Sequence, residues 1–475
     1  ERITFASSSA SPAAGDWGEI LLNGMGVNFE YVDIKHANRG INAQNQADGD
    51  TLRIANSRFT LNNNALYHYA QGTGAQVVVR DNTFTNTTNI VIESYSRYSS
   101  ADPQWQVIDN TATGFSGGGY SYGLYLSGAG NLEITGNSFT TTSAYTGGFT
   151  LAGYGTRSVI SDNTVSVGTS NNNCCQYNGI SYSGNSDNET LTLTGNQVTG
   201  GTYGLGVSVP NNATTTISNN NVTGTDNAGI YISNYNNNNN VTVQNNTVED
   251  NSGVGIYLEG TVNVFSGNIM RRNQDGLSLF FTADAQSLTL TDNIISDNTD
   301  NGIKTVCCYN VSNITVTVIN NDLSGNGNYA IYNNRPYDID ARQNWWGTAE
   351  TAAIQSGSNP KQLSFIYDGQ DSGNTSAGAV SYAGWLPSSP TSFSVTTTSS
   401  PVAGGTTSCF PSTVDLLGES TCIAISNRGY AFDGWSGACA GSSGIECSLT
   451  SITEPQTSTA YFVDIATSPA APTIE

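Results

Sequence analysis

The sequence has few charged side chains for its length. Only 11% of its 475 residues are Asp, Glu, Lys or Arg, against roughly 25% in an ordinary soluble domain. The charges are also unbalanced, since 37 acidic and 15 basic residues give a formal net charge of −22. A chain this acidic is repelled by nucleic acid and by anionic lipid head groups. We therefore expect no nucleic-acid partner.

Long apolar runs and histidine are scarce as well. No apolar stretch approaches the roughly 18 residues that a membrane-spanning helix needs, so no transmembrane segment is predicted. The chain has two His and two Met, but 52 Gly, 24 Tyr, 15 Phe and 6 Trp. This aromatic content argues against a disordered chain.

A repeat of about 26 residues runs through most of the chain. Its signature is an apolar residue, two small polar residues, Asn, any residue and another apolar residue, as in VRDNTF (79–84) and ISDNTV (160–165). The Asn positions are Asn82, Asn110, Asn137, Asn163, Asn196, Asn220, Asn246, Asn268, Asn293, Asn321 and Asn344. Because this Asn lies between inward apolar positions, we expect it at a turn, where Asn tolerates the left-handed conformation and can bond the backbone. Its amide can also bond the amide of the next coil, which predicts an internal ladder.

Each period also contains a second run with strict alternation, such as YGLYLSG and AGIYISN. Alternation with period two is the strand signal, and no segment has helical spacing with caps. Two short strands per period, joined by turns rich in Gly, Asn, Asp and Ser, predict a solenoid of stacked parallel strands. The all-β chain should form about 13–14 coils.

The second run places tyrosine on one outward face. The outward row is predicted to contain eleven positions, among them Val91, and five of them are Tyr: Tyr67, Tyr125, Tyr231, Tyr257 and Tyr332. Aromatic faces stack on sugar rings, so the row is a candidate contact for glycans or for a neighbouring subunit. Tyr is also a favoured residue in exposed strands, and this alternative stays open.

Four of the eight cysteines lie in the C-terminal part of the chain. Cys439 and Cys447 bracket a short Gly/Ser loop and are expected to pair, which leaves Cys409 and Cys422 for the second disulfide. Both pairs suit an oxidising, extracellular setting.

The other four cysteines form two vicinal pairs, Cys174–Cys175 and Cys307–Cys308. The pairs are too many coils apart to bridge each other. Each pair could close on itself, link to a neighbouring molecule, or consist of free thiols or metal ligands. A closed zinc site needs four ligands, and neither pair has a nearby His. No cofactor is predicted; Ca²⁺ is compatible with the sequence, but no specific motif indicates it.

No catalytic constellation stands out. His68 aligns with inward apolar positions and is expected to be packed or bonded to a turn, and the Arg271–Arg272 cluster is typical of a solvated turn with ion pairs. A polyanion-cleaving enzyme would need a basic groove that a chain of this charge lacks. A polysaccharide lyase or glycoside hydrolase nevertheless stays the alternative function.

Several segments resemble the secreted right-handed parallel β-helix proteins with a pectate-lyase-type superhelix. They are residues 3–22, the Asn-containing coils, QNWWGT (343–348) and residues 366–387. The resemblance implies a right-handed β-helix over 1–347 and an extension over 348–388 that packs on or caps its end. A linker over 389–400 should then lead to a second domain.

The second domain, over 401–464, is expected to be a small disulfide-containing β module followed by a tail at 465–475. Its segments 429–450 and 458–464 resemble a bacterial surface repeat related to the internalin-type B repeats. Such modules act as stalks or spacers, and no catalytic residues come from the resemblance.

The combined features predict a secreted or cell-surface structural or adhesive protein without enzymatic activity. The chain begins at Glu1 and enters the coil pattern at once, which suggests a processed form in which either upstream residues have been lost or another molecule covers this end. An uncapped end favours head-to-tail self-association into a filament or matrix. Surface glycans are the other expected partner.

Overall fold

The computed structural model contains two compact units, Glu1–Trp385 and Leu386–Glu475. It describes residues 1–24, 26–69, 74–96, 103–117, 121–168, 177–306, 311–371, 376–390, 392–415, 418–452 and 455–465. Both vicinal cysteine pairs, Cys174–Cys175 and Cys307–Cys308, lie outside these residues.

The first unit is a parallel β-helix, which confirms the predicted fold class, but most coils have three strands rather than two. The Asn-containing motif is itself two strands that meet at a corner: Gln76–Arg80 precedes Asn82 and Thr83–Thr85 follows it. A strand of three residues is too short to show a periodicity, so the sequence pattern merged it with its neighbour. The three strands of successive coils stack into three parallel sheets of 12, 14 and 14 strands.

We name the sheets by their outward residues or strand length. The narrow sheet contains Ile3–Phe5, Val32–Lys35, Arg58–Thr60, Thr83–Thr85, Thr111–Thr113, Ser138–Thr140, Thr164–Ser166, Gln197–Thr199, Asn221–Thr223, Thr247–Glu249, Ile269–Arg271 and Ile294–Ser296. The tyrosine sheet contains Trp17–Asn23, Ala37–Gln44, Asn64–Tyr69, Ile92–Tyr95, Ser121–Ala129, Thr146–Gly153, Ile180–Gly184, Tyr203–Ser208, Ala228–Asn234, Val254–Gly260, Leu277–Phe280, Asn301–Thr305, Tyr329–Tyr332 and Ile366–Tyr367. The threonine sheet contains Val27–Glu30, Thr51–Ala55, Gln76–Arg80, Gln104–Ile108, Leu132–Thr135, Arg157–Ser161, Thr190–Thr194, Thr214–Ser218, Asn240–Gln244, Val264–Ser266, Ser287–Thr291, Thr315–Ile319, Ile339–Asp340 and Val380–Ser381.

The corner between the threonine and narrow sheets is built the same way in successive coils. We call the Asn of each repeat motif the ladder Asn. The residue with positive φ is the one before it, for example Asp81 at 56° before Asn82 and Asp162 at 56° before Asn163. The left-handed residue of each corner is therefore the one before the ladder Asn and not the ladder Asn itself. Asp, Asn and Gly tolerate this conformation best, which explains the small polar residue that precedes each Asn in the motif.

One continuous apolar core fills the β-helix. It receives alternate side chains from all three sheets, such as Ile54, Phe84 and Leu124, which are fully buried. An α-helix, α1 (Thr348–Gln355), was not predicted; its Ile354 is buried against this core, and the chain then adds the strands Ile366–Tyr367 and Val380–Ser381 to two of the sheets.

The second unit is a small β domain with its own core. A four-stranded sheet contains Thr413–Asp415, Ser392–Ser400, Gln456–Asp464 and Tyr430–Gly437, and a three-stranded sheet contains Gly405–Phe410, Gly418–Ser426 and Glu446–Ile452. A short 3₁₀-helix spans Val402–Gly404. Most of the predicted linker 389–400 is thus a strand: its Val and Thr residues favour extended structure, and Val395 is buried in the domain core.

The two predicted disulfides are present in this domain. Cys409 and Cys422 lie directly opposite each other on antiparallel strands, with their Cα atoms 4.0 Å apart. Cys439 and Cys447 have Cα atoms 5.8 Å apart and join the Gly/Ser loop at its two ends. Three of the four cysteines are buried in the core of the domain, where they act as cross-links and packing groups.

Candidate functional site: the tyrosine face

The outward row of the tyrosine sheet defines the candidate site. Strand pairing places one residue per coil in this row: Asn42, Tyr67, Glu93, Tyr125, Thr150, Ser181, Gly206, Tyr231, Tyr257, Ser278, Lys304, Tyr332 and Tyr367. All five tyrosines named from the sequence lie in it and are partly exposed. We call this outer surface the tyrosine face.

One position of the predicted row is wrong. Val91 is fully buried, and Glu93 takes its place, because Ile92 pairs with Leu66 and Leu124 in the interior. Ile90, Val91 and Ile92 are all buried where the chain turns into the strand. The alternation of inward and outward side chains therefore begins only at Ile92.

The first tyrosine cluster lies near the N-terminal end of the face. Tyr67 and Tyr125 each contact Tyr95, with ring centroids 6.2 Å and 5.5 Å apart, and Tyr122 lies 5.5 Å from Tyr125. The guanidinium of Arg39 lies over the Tyr67 ring at 4.1 Å, a cation–π contact that fixes the ring orientation.

A half-buried carboxyl group sits within this cluster. Glu93 accepts a hydrogen bond from Asn64, and burial raises the pKa of its carboxyl group. The same burial, together with the charge of Glu93 and a hydrogen bond to it, raises the pKa of Tyr95.

A second cluster lies further along the face. Tyr203 stacks on Tyr231 with ring centroids 4.9 Å apart and planes inclined by 16°, and Tyr231 stacks on Tyr257 at 5.6 Å and 29°. Glu259 accepts a hydrogen bond from the Tyr235 hydroxyl at 2.5 Å. Burial, reinforced by Glu259, raises the pKa of Tyr231.

The third cluster is the most closely stacked. Tyr332 and Tyr367 have ring centroids 4.6 Å apart and planes inclined by only 7°, and Tyr329 is tilted against both, at 5.7 Å and 5.5 Å. A cavity of about 460 Å³ opens beside Tyr329 and Tyr332. Its polar lining includes Lys304 and Asp300.

Sequence reasoning missed the tyrosines outside the central row: Tyr69, Tyr95, Tyr122, Tyr203 and Tyr329. Tyr69 and Tyr95 follow the row by two residues, so the same alternation could have found them. Tyr203 and Tyr329 are the first residues of their strands and cluster with tyrosines of other coils or of their own strand. That proximity depends on coil register, which the sequence does not show directly.

The ladder asparagines lie inside the β-helix and not on the tyrosine face. From Asn82 to Asn344, each side-chain amide donates to the Oδ1 of the next Asn at 2.9–3.1 Å. Each Oδ1 also accepts a backbone N–H of the preceding coil, as Asn110 does from Asn82. The arrangement satisfies buried polar groups and has no access to a ligand.

A second, shorter ladder was not predicted. Thr225 donates to Asn251 at 2.9 Å, and the chain of bonds continues through Asn273, Asn298 and Asn326 at 2.9–3.3 Å. Each member follows a first-ladder Asn by five residues, which is the sequence signal for it. Its members lie at the corner that follows each strand of the narrow sheet, as Asn251 follows Thr247–Glu249.

Two further polar clusters are buried inside the coils. His68 is fully buried, with Nε2 2.7 Å from Gln46 Oε1 and Nδ1 3.1 Å from Ser94 Oγ, and burial lowers its pKa to about 3. Glu189 is also fully buried; its Oε1 accepts from Ser158 at 2.6 Å and from Tyr182. Burial raises the pKa of the Glu189 carboxyl group and that of the Tyr182 hydroxyl.

The basic clusters are paired at turns. Arg272 donates to Asp250 at 2.7 Å and 2.9 Å and to Glu249 at 2.8 Å, and Arg271 donates to Glu249 at 2.8 Å. The hydrogen bond from Arg272 lowers the pKa of Asp250. These contacts occupy the guanidinium groups with neighbouring carboxylates.

Over the described ranges, no three His, Cys, Asp or Glu residues converge to hold a metal ion. Within the same part of the chain, no helix has both the length and the apolar character needed to cross a membrane.

Two family models match the chain. Residues 178–345 match the right-handed β-helix region, and residues 395–466 match the divergent InlB B-repeat domain. The chain therefore combines a right-handed parallel β-helix with an InlB B-repeat-like domain, as the sequence motifs predicted. No curated protein sequence matches it.

Two solved structures are distantly similar. The periplasmic alginate epimerase AlgG is 13% identical over 68% of this chain and 76% of its own, with a TM-score of 0.35. The Dettilon tailspike protein (gp208) is 12% identical over 94% and 86%, with a TM-score of 0.26. Similarity at this level carries no information about activity.

Proposed function

We propose that this chain, a right-handed β-helix joined to an InlB B-repeat-like domain, is an extracellular structural or adhesive protein that binds carbohydrate along its tyrosine face. The observation that carries the proposal is the grouping of partly exposed tyrosines into three stacked clusters on one sheet. Flat aromatic surfaces with hydroxyl groups at their edges suit sugar rings, which present apolar faces and polar rims.

The fold itself does not require these tyrosines. Thr150, Ser181 and Gly206 occupy the same row in neighbouring coils, with the same strand pairing on both sides. A small residue at these positions therefore allows the same strand pairing as Tyr does. Keeping large aromatic rings in three groups is better explained by a contact made outside the chain than by strand propensity alone.

The carboxylates beside the first and second clusters are too far apart to hydrolyse one glycosidic bond together. Glu93 and Glu259, the carboxylates beside the first and second clusters, lie on strands six coils apart. At about 4.8 Å per coil this is roughly 29 Å, whereas a glycoside hydrolase places its two carboxyl groups about 5–9.5 Å apart. These two residues cannot flank one glycosidic bond.

An extracellular location is supported by the two disulfides of the C-terminal domain, since such bonds persist in oxidising compartments. The net charge of −22 favours solubility in that setting.

The test compares carbohydrate binding by matched variants. Affinity electrophoresis against a panel of neutral and uronic polysaccharides should show retardation of the wild type, and Tyr231→Ala combined with Tyr257→Ala should weaken it. Thr242→Ala, an outward residue of the threonine sheet, is the control and should bind like the wild type. Equal binding by both variants would refute the role of the face.

The same panel tests the enzymatic alternative. Release of reducing sugar would indicate a hydrolase, and absorbance of an unsaturated product would indicate a lyase. Either activity would contradict the non-enzymatic part of the proposal.

Head-to-tail self-association stays a separate prediction. Ile3 and Phe5, which pair with the buried Val32 and Ile34 of the next coil, are 63% and 37% exposed in this chain. Light scattering at increasing concentration, with Phe5→Glu as the matched variant, tests it; a monomer at all concentrations would contradict it.

A further inference from the structure

The cavity beside the third cluster differs from the rest of the tyrosine face. It has a volume of about 460 Å³ and brings Tyr329 and Tyr332 together with Lys304, Asp300 and Asn328. The first cluster has Glu93 beside it, and the second has Glu259. We propose that this cavity is a discrete subsite that holds one residue of a neutral hexose chain; the inference rests on the proposed carbohydrate-binding function and specifies its ligand.

The aromatic wall of the cavity is preorganised. Tyr332 stacks on Tyr367 of the next coil, 4.6 Å away and almost parallel, and Tyr329 is tilted against both rings. Stacking on two neighbours restricts the rotation of Tyr332, so little side-chain entropy is left to lose when a sugar ring packs on it.

The ammonium group of Lys304 is held in a fixed position. Its Nζ lies 2.9 Å from Asp275 Oδ2, and the Asp275 side chain is only 4% exposed while that of Lys304 is 30% exposed. Asp275 Oδ1 in turn accepts from the backbone N–H of Asn301 at 3.2 Å and from its side-chain amide at 2.7 Å. A lysine anchored in this way offers its remaining N–H groups to the cavity as directed donors.

The charge balance favours a neutral ligand. Asp275 neutralises Lys304, and the cavity lining also carries Asp300, whose Oδ1 accepts a hydrogen bond from Asn328. The local charge is therefore negative overall, as is that of the whole chain. A uronic acid would be repelled, whereas the hydroxyl groups of a neutral hexose can accept from Lys304 and donate to Asp300.

Isothermal titration calorimetry with hexasaccharides tests the inference. The ligands are the β-1,4-linked hexamers of glucose, mannose and galactose, and the anionic hexamer of galacturonic acid. The variants are Tyr332→Ala, Tyr231→Ala in the second cluster, and the double variant Asp275→Asn with Lys304→Met, which removes both charges together and so avoids a buried unpaired carboxylate. Thr242→Ala is the control, and circular dichroism melting checks that each variant is folded.

We expect at least one neutral hexamer to bind and the galacturonic hexamer to bind at least roughly tenfold more weakly. Tyr332→Ala and the double variant should each weaken binding by roughly three- to tenfold, the worth of an aromatic contact or hydrogen bond. If Tyr231→Ala weakens binding while Tyr332→Ala and the double variant do not, the subsite is refuted and the proposed function stands. Tighter binding of the galacturonic hexamer would refute the neutral class, and no binding of any sugar would refute the proposed function as well.

Discussion

The first ladder makes a sharp prediction about stability at Asn220. Its side chain is 1% exposed and takes part in four hydrogen bonds. Its Oδ1 accepts from the backbone N–H of Asn196 at 3.1 Å and from the Asn196 side-chain amide at 2.9 Å. Its own amide donates to Leu193 O at 3.0 Å and to Asn246 Oδ1 at 2.9 Å. Asn220→Ala removes all four bonds at once.

The expected loss follows from which groups are left without a partner. The side-chain amide of Asn196 keeps its bond to Ile160 O at 2.9 Å, but the buried backbone N–H of Asn196 loses its ladder acceptor. An unsatisfied buried donor costs about 1–3 kcal/mol, and each of the other three bonds contributes about 1 kcal/mol. We expect Asn220→Ala to lower the free energy of unfolding by about 4–6 kcal/mol.

The next residue in the chain provides the control. Asn221 is exposed on the narrow sheet, so Asn221→Ala should change stability by no more than about 0.5 kcal/mol. Urea unfolding followed by circular dichroism measures both variants against the wild type. A loss below about 1 kcal/mol for Asn220→Ala, or equal losses for the two variants, would refute the ladder as a stabilising element.

Three other predictions concern titration and cross-linking. His68 is neutral in the folded state, so the free energy of unfolding should fall by about 1.4 kcal/mol per pH unit as pH drops from 6.5 toward its lowered pKa of about 3. In urea unfolding, His68→Gln should lack this pH dependence. An unchanged pH slope in the variant would contradict the prediction. Burial raises the pKa of Glu189, so its contribution to stability should be greatest below its unfolded pKa of about 4.3 and decline as pH rises through the folded value. Glu189→Gln should remove that decline in the same titration, and a parallel pH profile would argue against it. Replacing Cys409 and Cys422 by Ser removes a disulfide with a sequence separation of 13 residues and should lower the free energy of unfolding of the C-terminal domain by about 3 kcal/mol. Calorimetry should show the unfolding transition of the β-helix at an unchanged temperature. A shift of both transitions would overturn this prediction.

The fold could be predicted from the sequence because its signal repeats. A single apolar–polar–polar–Asn–x–apolar motif predicts little, but eleven copies at similar spacing require a repeated supersecondary unit. The third strand of each coil was missed for the opposite reason, since Thr83–Thr85 and its equivalents have one inward residue each. No alternation can be counted in three residues.

The tyrosine face could be predicted only in outline. Its central row follows from alternation, but the row at Glu93 was misread because Val91 is buried at a bend before the strand begins. The clustering of Tyr203 with Tyr231 and the anchoring of Lys304 by Asp275 depend on which residues of different coils are adjacent. Coil lengths vary, so neither contact can be derived without the register.

The corner that carries the first ladder has a consequence for how such a chain can change over generations. Successive ladder residues are separated by as few as 22 and as many as 33 positions, yet their amides remain in hydrogen-bond contact. Extra residues are therefore accommodated elsewhere in the coil, and any coil can follow any other at this corner. After duplication or loss of a whole coil, the ladder Asn on one side can form its hydrogen bond with the ladder Asn of the coil that is now adjacent. The number of coils, and with it the spacing between tyrosine clusters, can therefore change without breaking this ladder.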